Sequence, residues 1–488
     1  MPDAKRIHAK HIHLIGACGT AMASLAGMLA ARGHRVTGSD AAAYPPMSDV
    51  LAKLGIPLMQ PYAVANLSPR PDLVIVGNAI SRGNVELEYV LDTRIPFTSM
   101  AAVLHDEFLE GRESLVVAGT HGKTTTTSML AWIYETASRT RAEFAPSFLI
   151  GGVAENFGTS FMVRPLVDGV RQPFILEGDE YDTAFFDKGP KFLHYFPDAA
   201  ILTQVEFDHA DIYPDLAAVK TAFKRLVNLV PRRGRVVAFD GSENVTECVA
   251  RAFCAVERYG FGLESHWRIT NLRSVSQHEG GGSQWTLERG GEKFAELRLP
   301  MAGEHNALNA TAAAALATGQ GVPAEAIAEA LASFRSVKRR LEVRAEVNGV
   351  TIIDDFAHHP TAIRETLRAL RTAYAGRRLW AVLEPRSNTL RRNVFEEALV
   401  ESLALADRAV LAAVFQSEAI AAAERLNPEN VVAALRARGV ESALYADADA
   451  IVAGIAPELR AGDVVAILSN GGFGGIYEKL PKALAVRG

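Results

Sequence analysis

The sequence predicts an α/β protein with mostly parallel sheets, divided into three domains. Short apolar segments alternate with helical patterns along the chain, as in parallel sheets whose strands are joined by helices. The length of 488 residues corresponds to about three domains of roughly 150 residues each. Two glycine-rich turns, each directly after an apolar segment, fit the same architecture, because parallel strands often lead into such turns.

Composition and charge exclude several classes of protein. Hydrophobic residues make up 49% and charged residues 22% of the chain, which argues against a mainly disordered protein. The balance of 51 basic and 56 acidic residues excludes a strongly basic surface for nucleic acid. The three cysteines form no C-x-x-C pair, so we expect reduced thiols and no structural zinc site. A polar N-terminus and the lack of any apolar run of about 18 residues predict a cytoplasmic protein without a membrane segment.

The N-terminal domain is predicted to be Rossmann-like, to span residues 1–111 and to bind a phosphorylated ligand. Strands are expected at residues 12–15, 35–38 and 73–76. A glycine turn follows the first strand, and Asp40 follows the second, where dinucleotide-binding folds place a ribose-binding acid. The turn lacks one glycine of the G-x-G-x-x-G pattern, so an ordinary turn capped by Asp40 is an equal alternative from this segment alone. The candidate ligand-binding residues are Gly16, Cys18, Gly19, Thr20 and Asp40.

The central domain, residues 112–335, contains the strongest local motif. A strand at 114–118 is followed by a loop and a helix, and the loop consists of Gly119, Thr120, His121, Gly122, Lys123, Thr124 and Thr125. The backbone N–H groups of such a loop bind phosphate, the lysine contacts the β- and γ-phosphates, and the first threonine hydroxyl binds Mg²⁺. The first glycine is closer to Gly122 than in the usual pattern, so a glycine turn that caps an ordinary helix is the alternative. We therefore predict a parallel sheet of the P-loop ATPase type, with ATP and Mg²⁺ as cofactors.

Acidic residues follow the next strand of this domain. Glu177 comes directly after the strand predicted at 174–176, and Asp179, Glu180 and Asp182 crowd behind it. Mg²⁺ prefers carboxylate, water and phosphate oxygens, so Glu177 is the first candidate for a metal ligand. The sequence leaves open which of the other three acids face the site, and a helix cap or solvated loop is the alternative for each. His209 follows a further strand at 200–202 and is a second candidate ligand, together with the Thr124 hydroxyl.

The remaining chain predicts an antiparallel insertion and a third α/β domain. Residues 236–300 alternate between polar and apolar and contain the run Gly280–Gly282, which favours hairpins. Helices are expected from residue 306 to 318 and on to 334. The third domain, residues 336–488, is predicted to be Rossmann-like, with strands near 351–353, 379–383, 408–412 and 463–468.

Four motifs together resemble the Mur ligases of peptidoglycan synthesis. They are the phosphate loop, Glu-Gly-Asp-Glu-Tyr-Asp at 177–182, His-Asn-Ala-Leu-Asn at 305–309 and Asp-Asp-Phe-Ala-His-His-Pro at 354–360. The resemblance covers nearly the whole chain and implies a three-domain, ATP-dependent amide ligase. The N-terminal domain would hold a UDP-muramoyl substrate, the central domain ATP, and the C-terminal domain would close over both. ATP would convert the substrate carboxylate into an acyl phosphate, which an amine then attacks.

The resemblance also implies roles for individual residues. Glu177 and His209 would hold a metal ion near the γ-phosphate, with Lys123 as the third catalytic residue. The residues implied to contact the nucleotide are Asn306 and Asn309 at the adenine, and Arg340 and Asp355 from the third domain. Glu206 stands where some relatives use a carbamylated lysine, and the sequence leaves open whether its carboxylate does the same metal-orienting work. Asn306 is alternatively a helix N-cap. For His358 and His359 the alternative is that they cap the helix after Pro360, so we do not count them among the catalytic residues.

Within the family, four segments resemble the branch that attaches a tripeptide, L-alanyl-γ-D-glutamyl-meso-diaminopimelate, to UDP-N-acetylmuramate during recycling of cell-wall peptides. These segments are Tyr-Pro-Pro-Met-Ser at 44–48, Gly-Asn-Ala-Ile-Ser-Arg-Gly-Asn at 77–84, Glu-Pro-Arg-Ser-Asn-Thr at 384–389 and Ser-Asn-Gly-Gly-Phe-Gly-Gly at 469–475. The further candidate substrate-binding residues are Asn78, Ser81, Arg82, Arg386, Ser387 and Asn388. Arginine binds the extra carboxylates of a tripeptide well, although a structural or phosphate-supporting role for Arg386 is equally plausible.

Two other functions stay open at this point. The first is ligation of L-alanine, rather than the tripeptide, to UDP-N-acetylmuramate. The second is a non-ligating P-loop ATPase or binding module, which leaves the N-terminal glycine turn and the segment around Arg386 unexplained. The sequence predicts no particular oligomeric state.

Overall fold

The computed structural model describes residues 9–43, 47–275 and 281–486. The chain divides into two compact units, of which the first comprises residues 1–205, 220–259 and 312–330. The second comprises residues 206–219, 260–311 and 331–488. Residues 44–46, part of one of the four segments quoted for the tripeptide branch, and Gly280 lie outside the described residues. Within the described ranges, no helix combines the length and the apolar character needed to cross a membrane.

The N-terminal part of the first unit is a parallel five-stranded sheet in the order β3-β2-β1-β4-β5. Its strands are β1 His11–Ile15, β2 Arg35–Ser39, β3 Leu58–Met59, β4 Leu73–Val76 and β5 Phe97–Ser99. Its helices are α1 Thr20–Ala31, α2 Met47–Lys53, α3 Val85–Asp92 and α4 Met100–Leu104. The three predicted strands are confirmed. The apolar runs of β1 and β4 are buried on both faces, as parallel strands require, and β2 is buried from Val36 to Ser39.

The central sheet of the first unit contains seven strands in the order β14-β13-β12-β6-β9-β7-β8. Its chain also includes a short antiparallel pair, β10 with β11. The strands are β6 Glu113–Ala118, β7 Ser147–Ala154, β8 Thr159–Met162, β9 Pro173–Gly178, β10 Asp182–Ala184, β11 Asp187–Pro190, β12 Ala199–Leu202, β13 Arg235–Phe239 and β14 Ala255–Gly260, and the helices are α5 Lys123–Ser138, α6 Leu216–Leu229 and α7 Glu243–Val249. Neighbouring strands run parallel, except that β8 is antiparallel to β7.

The second unit contains an antiparallel meander. It consists of β15 Trp267–Ser274, β16 Ser283–Arg289 and β17 Glu292–Leu299, and the helices α8 Glu304–Gly319 and α9 Ala324–Ala332 follow in the chain. The predicted antiparallel insertion is therefore correct for residues 267–299 and wrong for its first part, because β13 and β14 pair in parallel. β14 is only partly buried, and partial exposure does not determine strand direction.

The C-terminal part of the second unit is a six-stranded sheet in the order β18-β19-β23-β20-β21-β22. Its strands are β18 Glu342–Val347, β19 Val350–Asp355, β20 Leu379–Leu383, β21 Arg408–Ala412, β22 Glu441–Tyr445 and β23 Val464–Leu468, and its helices are α10 Pro360–Ala373, α11 Glu396–Leu403, α12 Pro428–Ala437, α13 Ala448–Ile455 and α14 Ile476–Ala485. The strand pairs are parallel apart from β18 with β19.

Apolar side chains cover both faces of this C-terminal sheet. Ile353 and Leu383 belong to one buried cluster, whereas Ile352 and Val382 belong to the other. Because successive residues of a strand point to opposite faces, each strand contributes to both clusters. The polar residues that end the strands are therefore left at the carboxyl edge of the sheet.

A buried polar network connects three elements of the N-terminal sheet. The carboxylate of Glu86, on α3, accepts hydrogen bonds from the Ser39 hydroxyl at 2.5 Å, the Ala63 backbone amide at 3.0 Å and the Asn66 amide at 2.7 Å. Burial alone would raise the pKa of Glu86, but these donors and His13 lower it below the ordinary value of 4.5. The ionised carboxylate is thus the stable form in the folded protein.

We expect Glu86→Ala to lower the free energy of unfolding by about 3 kcal/mol, because buried donors would lose their acceptor. Since the folded pKa lies below the unfolded one, this stabilisation is present above about pH 4.5 and is lost as the pH falls through the folded pKa. Urea unfolding of the wild type and the variant at pH 7 and pH 4 measures the loss of unfolding free energy and its dependence on pH. Glu88→Ala, two residues along the same helix and more exposed, is the control, and an equal loss in both variants would contradict the prediction.

Candidate functional site

The phosphate loop joins β6 to α5 in the first unit, as predicted. Gly122 is the N-cap of α5 and has a φ of 81°, in the left-handed region that favours glycine. Gly119 has a φ of 131°, and a Cβ at this position would lie 2.1 Å from the Thr203 hydroxyl oxygen. The loop is also tied to the residues after β12, since the Thr120 amide donates to the Gln204 carbonyl at 2.6 Å. Both glycines are therefore required by the backbone and by the closeness of the neighbouring strand.

Lys123, the first residue of α5, points back into the loop. Its ammonium group donates to the Gly119 carbonyl at 2.7 Å and to the two carboxylate oxygens of Glu180 at 2.7 and 2.9 Å. Burial would lower the pKa of Lys123, but the negative charges of Glu180, Asp179 and Glu177 raise it above its ordinary value. Lys123 is therefore held as a cation at the N-terminus of a helix, which suits it to bind phosphate.

Thr124 and Glu177 form a pair of oxygen ligands beside this lysine. The Thr124 hydroxyl donates to Glu177 Oε1 at 2.9 Å, and the Gly151 amide donates to Glu177 Oε2 at 2.7 Å. A hydroxyl and a carboxylate on one loop edge fit the oxygen chemistry that Mg²⁺ prefers. Two of the three predicted metal ligands are thus adjacent within the first unit, while His209 belongs to the second unit.

Of the three acids at positions 179, 180 and 182, one faces the phosphate loop. Asp179 accepts a hydrogen bond from Lys191 at 2.7 Å, and Asp182 accepts one from Lys188 at 2.6 Å. Glu180 instead contacts Lys123 with both oxygens and is buried. Glu180 is therefore a site residue that the sequence prediction did not select, because four acids within six positions give no signal that separates them.

The N-terminal glycine turn lies at the carboxyl edge of β1, β2 and β4. Gly16 has a φ of 84°, and α1 begins at Thr20 with Gly19 as its N-cap. Asp40 Oδ2 accepts a hydrogen bond from the Cys18 backbone amide at 2.8 Å. The alternative role of Asp40, as a residue that caps the turn, is thus observed, and its role toward a ribose stays a prediction.

The loop after β4 carries the other predicted residues of this domain. Asn78, Ser81 and Arg82 are exposed, and Arg82 pairs with both carboxylate oxygens of Glu88 at 2.9 Å. The Gly77 amide donates to the Ile15 carbonyl at 2.9 Å, which places the start of this loop beside the glycine turn. The predicted substrate residues of the N-terminal domain therefore lie on neighbouring loops of one sheet edge.

In the second unit, residues 206–209 pack against two loops of the C-terminal sheet. Asp208 is buried and accepts a hydrogen bond from the Thr389 hydroxyl at 2.6 Å. Burial would raise the pKa of Asp208, but nearby histidines, first among them His209, lower it well below its usual range. His209 itself has a φ of 55°, which is uncommon for a residue other than glycine. Asp208 and Thr389 were missed by the sequence prediction, since 181 positions separate them.

Glu206 and the residues before α10 form the second contact of this segment. His359 Nδ1 lies 3.6 Å from the Glu206 carboxylate, and His359 Nε2 lies 3.3 Å from the Phe207 carbonyl oxygen. His359 is also the N-cap of α10, with Pro360 as the first helical residue. The predicted capping role is confirmed for His359, whereas His358 hydrogen-bonds the Phe356 carbonyl at 2.8 Å.

The residues predicted to contact the nucleotide also lie in the second unit. Asn306 and Asn309 are buried in the first turns of α8, on one helix face. One alternative made Asn306 the helix N-cap, and this is wrong because α8 begins at Glu304. The side chain of Asn306 donates to the Ala302 carbonyl at 2.8 Å. Asp355 holds its own loop through the Leu341 and Ala357 amides, at 2.8 and 2.9 Å. Their roles toward a nucleotide stay predictions.

Arg340 lies near Asp355, because the amide of the next residue, Leu341, donates to the Asp355 carboxylate. Its guanidinium is 5.3 Å from the centroid of the Phe356 ring, a distance at which a cation and an aromatic face attract each other. The neighbouring Arg339 lies over the same ring at 5.2 Å, and it also pairs with Asp354 at 3.2 Å and donates to the Ser469 carbonyl at 2.7 Å. Arg339 therefore stabilises the C-terminal sheet.

The three predicted peptide-binding residues follow β20 and differ in their surroundings. Ser387 donates to the His358 carbonyl at 3.2 Å, and Asn388 donates to Asp211 at 2.9 Å. Both side chains therefore hold the loop in place. Arg386 contacts Glu384 at 3.4 Å and the ring of Phe415, with 32% of its side chain exposed. Of the three, Arg386 is the best suited to bind a ligand.

Comparison with known proteins identifies the family. The chain matches three family models in order: the Mur ligase family catalytic domain over residues 11–110, the Mur ligase middle domain over 117–317 and the Mur ligase glutamate ligase domain over 339–471. One match falls within each predicted domain, which confirms the three-domain prediction, while the boundaries at 111 and 336 stay predictions.

Individual relatives cover almost the whole chain. The UDP-N-acetylmuramate–L-alanyl-gamma-D-glutamyl-meso-2,6-diaminoheptandioate ligase of Escherichia coli (strain K12) is 43% identical over 479 residues, with 97% of this chain and 98% of the relative covered. The UDP-N-acetylmuramate–L-alanine ligase of Variovorax paradoxus (strain S110) is 32% identical over 490 residues, with 98% and 95% covered.

A solved structure agrees with these relatives. The crystal structure of a murein peptide ligase from Psychrobacter arcticus 273-4 is 37% identical, has a TM-score of 0.74 and covers 98% of this chain and 99% of its own. The motifs, the fold and the full-length relatives therefore lead to one conclusion: the chain belongs to the Mur ligase family of ATP-dependent ligases that form amide bonds.

Proposed function

We propose that the protein joins the tripeptide L-alanyl-γ-D-glutamyl-meso-diaminopimelate to UDP-N-acetylmuramate, with conversion of ATP to ADP and phosphate, in the recycling of cell-wall peptides. The observation that carries the ATP-dependent chemistry is the partly buried cation of Lys123 in the phosphate loop, beside Thr124 and Glu177. The choice of peptide is supported by the 43% identity to a relative named for this tripeptide, against 32% to one named for L-alanine. Because ATP and UDP-sugars are cytoplasmic metabolites, we place the protein in the cytoplasm.

The chemistry explains why a phosphate loop is needed. A carboxylate at neutral pH is a poor electrophile, so its oxygen first takes the γ-phosphoryl group of ATP, which gives an acyl phosphate and ADP. The amine of the peptide then attacks the acyl carbon, and phosphate leaves as the amide bond forms. Lys123 and the backbone amides of the loop neutralise the crowded phosphate charge in the first step. Exclusion of water protects the acyl phosphate before the amine attacks.

Magnesium is part of this proposal. Thr124 and Glu177 would hold the ion, and His209 is a third candidate ligand from the second unit. When bound, Mg²⁺ would supply positive charge next to the phosphate oxygens. Glu177 is suited to this role because the Gly151 amide fixes its second oxygen at 2.7 Å and leaves Oε1 on the side of Thr124.

The remaining predicted residues complete the proposed substrate sites. The glycine turn at 16–20 and the loop after β4 would bind UDP-N-acetylmuramate, and Asn306, Asn309, Arg340 and Asp355 the nucleotide. Arg386 would bind a carboxylate of the tripeptide. The tripeptide offers more carboxylates than L-alanine does, and a guanidinium binds a carboxylate through two parallel hydrogen bonds.

The proposed substrate is tested directly with the purified protein. We expect phosphate release that depends on UDP-N-acetylmuramate and the tripeptide together, with an amide product visible by mass spectrometry. Replacing the tripeptide with L-alanine should reduce the rate by at least about a hundredfold. L-alanine lacks the additional carboxylates of the tripeptide, so the site around Arg386 would have no carboxylate to bind. Preferential use of L-alanine would contradict the choice of peptide, and ATP hydrolysis without an amide product would contradict ligation.

We expect Lys123→Ala to lower kcat at least about a hundredfold, because the loop loses the cation that offsets phosphate charge. Lys188→Ala is a matched control, since Lys188 is exposed and pairs with Asp182 rather than with Glu180, the partner of Lys123. Steady-state phosphate release with saturating substrates measures both variants. Full activity in Lys123→Ala would remove the phosphate-loop assignment.

We expect Arg386→Ala to raise the KM for the tripeptide about tenfold or more, the effect of losing a charge-assisted hydrogen bond. The KM values for ATP and UDP-N-acetylmuramate should change less than twofold, because Arg386 is assigned to the peptide alone. Initial rates with one substrate varied at a time provide the three values. An unchanged KM for the tripeptide would make Arg386 a structural residue.

A further inference from the structure

The guanidinium of Arg386 occupies a confined place in the second unit. Its carbon lies 3.8 Å from the centroid of the Phe415 ring. It also lies against the backbone of Gly471, because a Cβ added to this glycine would be 2.2 Å from Arg386 Nε and 2.6 Å from Arg386 Cζ. The missing side chain at position 471 is therefore what leaves room for the guanidinium. We call this place the Arg386 slot, formed by Glu384, Phe415 and Gly471.

The backbone of Gly471 is fixed from two directions. Its amide donates to the Ser469 hydroxyl at 2.9 Å, and its carbonyl accepts from Arg339 at 2.9 Å. Arg339 is itself anchored by the Ser469 carbonyl at 2.7 Å and the Tyr477 hydroxyl at 2.8 Å. A larger side chain at 471 would therefore displace the flexible Arg386 side chain rather than its own backbone.

Arg386 retains hydrogen-bonding capacity for a ligand. Among the residues that the structure describes, its guanidinium makes a single hydrogen bond, at 3.4 Å to Glu384 Oε1. The other oxygen of Glu384 accepts from the Ser469 hydroxyl at 2.5 Å, so the carboxylate is oriented independently of Arg386. A guanidinium has five N–H donors in a rigid plane, which makes its orientation decisive for binding a carboxylate with two bonds.

We propose that Gly471 and Phe415 are positioning residues for peptide selectivity. They hold the Arg386 guanidinium in the slot so that it binds a tripeptide carboxylate that L-alanine lacks. Neither residue has to touch the peptide, since both act through Arg386. This inference rests on the proposed function and adds to it the feature that fixes the selectivity-determining arginine.

Two adjacent glycines provide a matched test. Gly471→Ala places a methyl group in the slot, whereas a Cβ on Gly472 meets nothing within 4 Å, and Gly472 has an ordinary φ of −80°. We would measure kcat and the KM for ATP, UDP-N-acetylmuramate and the tripeptide in the wild type, both alanine variants, Arg386→Ala and the double variant Gly471→Ala/Arg386→Ala. The two glycine variants each add one methyl group at neighbouring positions, so their comparison isolates the position of Arg386.

The expected result is selective. Gly471→Ala should raise the KM for the tripeptide about tenfold, the size of one charge-assisted interaction, with the other two KM values within twofold of the wild type. Gly472→Ala should behave as the wild type, and the double variant should be no worse than Arg386→Ala alone. An unchanged KM for the tripeptide in Gly471→Ala, equal changes in all three KM values, or additive losses in the double variant would overturn the proposal.

A second variant keeps the test decisive if Gly471→Ala does not fold. Phe415→Leu keeps an apolar side chain but removes the aromatic face next to Arg386, so a severalfold rise in the tripeptide KM alone is expected. No rise would count against the proposal. Failure of the proposed function is seen separately, because the wild type would then not ligate the tripeptide in the first place.

Discussion

The candidate site of the first unit depends on one constraint: adjacent parallel strands end at the same edge of a sheet. β6 lies between β9 and β12 in the central sheet, so the three loops that follow these strands meet. Gly119 approaches Thr203 so closely that a Cβ would be 2.1 Å from its hydroxyl oxygen. The same closeness brings Glu180 to the ammonium of Lys123 at 2.7 Å. The arrangement that we propose to bind phosphate and metal thus follows from strand order.

The same constraint repeats in the other parallel sheets. In the N-terminal sheet, the Gly16 amide donates to the carbonyl of Ser39, at the end of the neighbouring strand, at 2.9 Å. In the C-terminal sheet, the Ser469 amide donates to the Asp355 carbonyl at 3.2 Å and the Glu384 amide to the Leu468 carbonyl at 3.1 Å. Residues that follow β19, β20 and β23 therefore come together, although more than a hundred positions separate the first from the last.

This explains how much could be predicted from the sequence. Strands at 73–76, 379–383 and 408–412 are confirmed at their bounds, because buried parallel strands are continuous apolar runs. Side chains directly after such runs, such as Glu177, could be selected as site residues for the same reason. The partner of Lys123 could not be selected in this way, because the backbone path of residues 179–182 determines which acid faces Lys123. Contacts such as Asp208 with Thr389 depend on tertiary packing and leave no local pattern.

The charged residues of these loops already have partners within the fold, and this affects how ligands bind. An isolated ammonium in the partly buried position of Lys123 would be destabilised, and Glu180 offsets that penalty. A phosphate therefore adds to or replaces an existing interaction, so its net contribution is smaller than that of a contact made by an unpaired cation. Arg386 differs, because its contact with Glu384 is longer, at 3.4 Å, and a third of its side chain is exposed. A ligand carboxylate at Arg386 competes only with the weaker contact to Glu384. We therefore expect Arg386 to discriminate between ligands more strongly than Lys123 does.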